Sequence, residues 1–114
     1  MTWKWGVFLA DLNPVIGSEQ KGKRPVLVVS DEDFNSLMPV VTVVPITSLK
    51  PRRRVYPNEA MLEKGVAGLE ARSLALAHQI RTISKERLVT RIGVVTEEAV
   101  RGAVVDALKV HLNI

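Results

Sequence analysis

The sequence predicts a mainly β fold, a small antiparallel barrel or half-open sheet with one C-terminal α-helix. Three observations carry that expectation. Short runs rich in valine, isoleucine and leucine recur between turn residues, as strands of such a sheet do. Prolines and glycines punctuate the chain too often for long helices. The clearest helical period lies at the end, where Val100, Val104, Leu108 and Leu112 form an i, i+4 stripe. Nothing repeats and no linker interrupts the 114 residues, so residues 1–114 read as a single domain.

Each element has a local reason. Gly6 to Leu12 reads as the first strand, and Asn13-Pro14 ends it because a residue before proline avoids helical space. Gly17 and Gly22 flank a hairpin-like loop. Pro25 to Val29 is a continuous apolar strand. Asp31 is placed to cap a short helix through about Leu37, which Met38-Pro39 stops. Val40 to Ile46 follows as a strand, with Pro45 expected at an edge or bulge, since it cannot donate to a ladder. Leu49 to Arg54 is a basic loop, and Tyr56 to Asn58 a brief extended piece. Leu69 to Ile83 alternates as one long strand, with Leu74, Leu76, His78 and Ile80 on one face. Ser84 caps one turn, and Arg91 to Val95 is the last strand. Thr96 is the expected N-cap of the final helix, followed by Glu97 and Glu98 at the positive end of its dipole; Gly102 weakens that helix by roughly 1 kcal/mol relative to alanine.

Composition narrows the class. Hydrophobic residues make up 46% of the chain, and a chain of this length buries roughly 65% of its unfolded surface, enough for a core without staples. Cysteine is absent, which excludes disulfides and thiolate metal sites. The N-terminal run is broken by Asp11 and is too short for a membrane span, so a soluble, cytoplasmic protein is expected. Sixteen Lys and Arg against twelve Asp and Glu give a net charge of +4. Seven of those bases (Lys21, Lys23, Arg24, Lys50, Arg52, Arg53 and Arg54) crowd into two short loops, a distribution suited to a polyanion.

Common catalytic signatures are missing. There is no nucleophile elbow, P-loop or dinucleotide fingerprint. His78 and His111 are the only histidines, with no carboxylate at ligand spacing, so no metal site is expected. His111 reads as a complement to the helix dipole and His78 as a core or interface residue. What remains are donors at strand ends. Arg24 opens one strand, Thr47 closes another, and Gln79, Arg81 and Thr82 punctuate a third. Brought together, such fixed donors suit a phosphodiester whose transition state gathers negative charge.

At these residues the sequence resembles the MazF/PemK family of bacterial toxin endoribonucleases. The likeness runs through "GVFLADLNPVIGSEQKGKRPVLVVS" (Gly6–Ser30), "VVTVVPITS" (Val40–Ser48) and "SLALAHQIRTISKERL" (Ser73–Leu88). The resemblance implies an SH3-like barrel of the CcdB/PemK type that works as a homodimer. It implies sequence-specific cleavage of single-stranded RNA without a metal or cofactor. The RNA's own 2′-hydroxyl would be the nucleophile, leaving a 2′,3′-cyclic phosphate and a 5′-hydroxyl. The family's catalytic arginine and threonine fall on Arg24 and Thr47. Glu19 and Gln20 would read base edges, Lys21 and Lys23 would touch phosphates, and Ser48 and Gln79 would border the RNA. An antitoxin with a disordered tail would occupy the same groove.

Two departures from the family pattern stand out. His78 takes the place of an acidic residue found in many relatives, and Arg52, Arg53 and Arg54 make an unusually basic loop expected to add non-specific RNA affinity. Arginine is a fixed charge before it is a proton donor, so Arg24 is expected first to stabilise the transition state. Pro25 fixes φ next to it. Only Trp3, Trp5, Phe8, Phe34 and Tyr56 could stack on bases, so recognition should lean on hydrogen bonds and phosphate contacts. Two other readings of the same barrel are a gyrase poison of the CcdB kind, which binds without cutting, and an inactive RNA-binding domain.

Overall fold

The computed structural model describes residues 2–114 and gives seven strands and two α-helices among them. In chain order they are β1 (Gly6–Asp11), β2 (Lys23–Val28), α1 (Glu32–Leu37), β3 (Val40–Ser48), β4 (Glu59–Leu62), β5 (Ser73–Leu76), β6 (Arg81–Ser84), β7 (Leu88–Val94) and α2 (Glu98–Leu112). All ladders are antiparallel, in the order β4-β5-β3-β2-β1-β7, with β6 also on β3. The long strand β3 organises the sheet. Its Val40–Val43 half pairs with β6, its Ile46–Ser48 end pairs with β5, and Val43–Pro45 pairs with β2 on the other side. Pro45 therefore lies mid-strand, where β3 has left β6 and not yet joined β5. The missing N–H falls at that change of partners.

The mainly β expectation holds, and the half-open alternative is the one realised, since β4 and β7 do not pair. The turn Val66–Gly68 packs against β7 in their place, close enough that a Cβ on Gly93 would stand 2.3 Å from the Ala67 carbonyl oxygen. Side chains alternate along β1 to β3 into two cores. Val7, Leu27, Val44 and Ile46 share one with Leu62, Val104 and Ala107, beneath α2. Phe8, Val26, Val28, Val41 and Val43 fill the other. Burial on both faces is why these strands read as unbroken apolar runs.

Local rules succeed at α1, where the Asp31 carboxylate accepts from Asp33 and Phe34 N–H, and at Ser84, whose hydroxyl accepts from Glu86 N–H. Elsewhere the structure corrects the reading. Tyr56–Asn58 is a turn, closed by Glu59 N–H donating to the Tyr56 carbonyl at 2.9 Å, and the strand begins at Glu59. Leu69–Ile83 is not one strand: a 3₁₀ turn at Ala77–Gln79 separates β5 from β6, which puts His78 on the exposed side of a turn. Thr96 does not cap α2. Glu97 holds the N-cap position without a side-chain bond to the helix, and Thr96 Oγ1 donates to the Glu97 carboxylate at 2.7 Å. Among the described residues no helix is long and apolar enough to cross a membrane.

Candidate active site

Arg24 sits in β2 opposite Ala10, where the polar loop 13–22 gives way to the buried Val26–Val28. Its Nε donates to the Lys21 carbonyl at 2.9 Å. One edge of the guanidinium is thus held by backbone, and Pro25 follows with its φ fixed. Thr47 and Ser48 end β3, opposite Leu74 and Ser73. These strands share one cleft of about 410 Å³, lined by Arg24, Thr47, Ser48, Ser73 and the segment Gly68–Ala71. The two residues expected to be catalytic are therefore brought together, and Ser48 with them. Glu70 and Ser73 also line the cleft, and neither was singled out from sequence. The turn glycines Gly65 and Gly68, followed by polar Glu70 and Arg72, were the signal that Leu69 does not open a strand.

The loop before Arg24 is folded by its own polar groups. Gly17 and Gly22 take φ of 59° and 77°, the left-handed region that glycine enters at least cost. Leu12 N–H donates to the Gly22 carbonyl at 2.9 Å, and Gly22 N–H to Asn13 Oδ1 at 3.1 Å. Glu19 Oε1 accepts from Ile16 N–H at 2.7 Å, so that carboxylate braces the loop. The Gln20 side-chain oxygen is shut from solvent with no partner among the described residues. Gln79 Nε2 donates to the Ser18 carbonyl at 3.3 Å, Arg81 Nη1 to Leu12 O at 3.3 Å, and Arg87 Nη1 to Asp11 O at 3.2 Å. Gln79 and Arg81 therefore hold the loop from β6 and the turn before it and do not line the cleft. Thr82 lies apart, sharing a 2.7 Å hydrogen bond with Thr42. Lys21 and Lys23 are exposed.

The basic loop divides in use. Arg52 is exposed, and the Arg54 guanidinium lies 5.3 Å from the Tyr56 ring centroid. Arg53, expected on RNA, grips the buried Glu59 carboxylate with two bonds of 2.9 and 2.7 Å. That bond holds the Glu59 carboxyl below the usual carboxylate range against the opposing effect of burial, helped by Tyr56 N–H at 3.0 Å. Arg53 is a structural cation here. His78 stands 3.9 Å from the same carboxylate and 6.5 Å, ring to ring, from His111. The histidines thus meet each other outside the Arg24 cleft. Among the described residues no group of three His, Cys, Asp or Glu is placed to hold a metal ion.

Residues 4–112 match the family described as PemK-like, MazF-like toxin of type II toxin–antitoxin systems. The endoribonuclease MazF9 of Mycobacterium tuberculosis is 38% identical over 113 residues, covering 95% of this chain and 93% of its own. The endoribonuclease EndoA of Bacillus subtilis is 38% identical over 106 residues, covering 93% and 90%. Among solved structures, MazF of Deinococcus radiodurans superposes with a TM-score of 0.79 at 25% identity, covering 97% of this chain and 96% of its own.

Proposed function

The chain belongs to the family of PemK-like, MazF-like toxins of type II toxin–antitoxin systems, and we propose that its Arg24–Thr47 cleft cuts single-stranded RNA. The activity class is endoribonuclease, that of the two curated relatives; a poison of the same fold that binds without cutting is not favoured by them. One observation carries the site assignment: Arg24 and Thr47, on different strands, line one cleft, with the arginine anchored through Nε. Anchoring leaves the terminal guanidinium nitrogens to face a phosphate in a fixed direction, which is the geometry that stabilises developing negative charge. Thr47 supplies a second donor for a non-bridging oxygen, or helps to orient the attacking 2′-hydroxyl.

The reaction is transesterification by the RNA's 2′-hydroxyl, giving a 2′,3′-cyclic phosphate and a 5′-hydroxyl, with no step assigned to a metal or cofactor. The protein works in the cytoplasm as a homodimer, restrained by an antitoxin whose flexible tail competes with RNA for the cleft. Incubating the purified protein with a long single-stranded RNA in EDTA and mapping the ends tests this directly. Discrete cuts with 5′-hydroxyl ends are expected, and Arg24→Ala should lower the rate by about 10²–10³. Cleavage by that variant within threefold of wild type would remove Arg24 from the chemistry.

A further inference from the structure

If the cleft cuts RNA as proposed above, one chemical requirement is still without a residue. A 2′-hydroxyl attacks phosphorus only as it gives up its proton, and both Arg24 and Thr47 are there as donors. A guanidinium has no acceptor capacity. The histidines, the most frequent proton carriers in such chemistry, stand elsewhere, against Glu59 and each other. We propose that Glu70 is the general base of this cleft, accepting the 2′-hydroxyl proton as the oxygen attacks.

Among the described residues that line the cleft, Arg24 and Glu70 are the only ones with a charged side chain. The ion pairs found among those residues are Arg53–Glu59, Arg72–Glu63 and the longer His78–Glu59 contact, so the Glu70 carboxylate is not committed to one. Its backbone is nevertheless held on both sides. Leu69 is buried, its carbonyl accepts Gly65 N–H at 2.8 Å, and the Arg72 carbonyl accepts Leu49 N–H at 2.9 Å from the end of β3. Ser73 Oγ donates to the Ala71 carbonyl at 2.8 Å. A free carboxylate on a fixed segment, sharing a cleft with an anchored guanidinium, is the pairing a phosphodiester transesterification needs. Charge logic points the same way. A carboxylate repels the substrate phosphate until it takes up a proton, so that repulsion is relieved as the reaction proceeds, while Arg24 attracts the phosphoryl group throughout.

In this step the 2′-O–H proton passes to the Glu70 carboxylate and the 2′-oxygen forms a bond to phosphorus. The P–O5′ bond breaks, and its electron pair leaves with the 5′-oxygen, which is protonated by water at the open mouth of the cleft. Glu70 then returns its proton to solvent, and nothing is oxidised or reduced.

The test uses the full chain and one RNA with a mapped cut site. For Glu70→Ala, kcat should fall about 10²-fold, the usual contribution of a general base. Affinity for the same RNA carrying a 2′-deoxy nucleotide at the cut should stay within threefold. Added formate should restore cutting in proportion to its concentration, while chloride at equal ionic strength should not. Activity within threefold of wild type, or a loss that formate never rescues and that tracks weakened binding, overturns the proposal. Wild-type protein that leaves the RNA whole overturns the nuclease reading, and this proposal with it.

Discussion

Arg24 is useful at this site because one part of its side chain is already engaged. The Nε–H bond to the Lys21 carbonyl fixes the plane of the guanidinium, which a lysine could not reproduce with a single point charge on a flexible stem. Glu59 shows the opposite use of the same pairing, buried and structural. Its side chain is 1% exposed against 32% for Arg53, and its carboxyl is held low by the Arg53 bond. Because the folded form binds its proton more weakly than the unfolded chain does, the pair stabilises the fold fully above the ordinary carboxylate value of about 4.3. That contribution is lost as pH falls through the lower, folded value. Glu59→Gln should cost about 3 kcal/mol at neutral pH, the low end for breaking a buried pair, since Arg53 is partly open to water. Thermal melts between pH 5 and 3 should then fall less steeply for the variant than for wild type. Some slope will persist from Glu32, where burial raises the carboxyl but the N–H groups of Lys4 and Trp3, with Asn35, outweigh it. Parallel slopes in the two proteins would mean that the Arg53–Glu59 bond does not shape acid stability.

The elements that positioned the site were legible where their causes were local. Helix α1 announced itself through Asp31 at its start and Met38-Pro39 at its end, and β2 through its apolar run after Arg24. Strand β4 was missed because it opens on a charged residue, and Glu59 is tolerable there only through Arg53 and Tyr56 N–H, contacts that spacing does not reveal. The merger of β5 and β6 has a different cause: apolar alternation continues through Ala77–Gln79, although the backbone turns there. The site was half legible for the same reason. Arg24 and Thr47 lie at strand ends inside a recognisable pattern, whereas Glu70 reaches the cleft only because the segment from Gly65 to Ala71 lies on β7. Gly93 is what permits that approach. Gly93→Ala would drive a Cβ against the Ala67 backbone, at a cost of about 2 kcal/mol and with displacement of the wall that carries Glu70. Gly102→Ala makes the informative contrast, because a Cβ there meets nothing within 4 Å and should stabilise α2 by up to about 1 kcal/mol. Chemical denaturation should therefore move the two variants in opposite directions, with RNA cutting lost only in the first. Unchanged stability for Gly93→Ala would show that the segment has room to shift.

Over the whole molecule the net charge of +4 is modest, so affinity for RNA depends on where the cations are free and not on their total. The structure leaves Lys21, Lys23, Arg52 and Arg54 exposed and withdraws Arg53 into the bond with Glu59. The three adjacent arginines, alike in sequence, should therefore separate in experiment. Each phosphate contact removed from a single-stranded complex lowers the slope of log affinity against log salt by about 0.7. Replacing Arg52 and Arg54 together with glutamine should flatten that slope while leaving the melting temperature close to wild type. Arg53→Gln should do the reverse, lowering the melting temperature while barely moving the slope. Binding is best followed on RNA with a 2′-deoxy nucleotide at the cut, so that affinity is read without turnover. A slope unchanged in the double variant would place the RNA path away from this loop. Recognition would then rest on the Lys21–Lys23 side of the cleft, with the basic loop left to solubility.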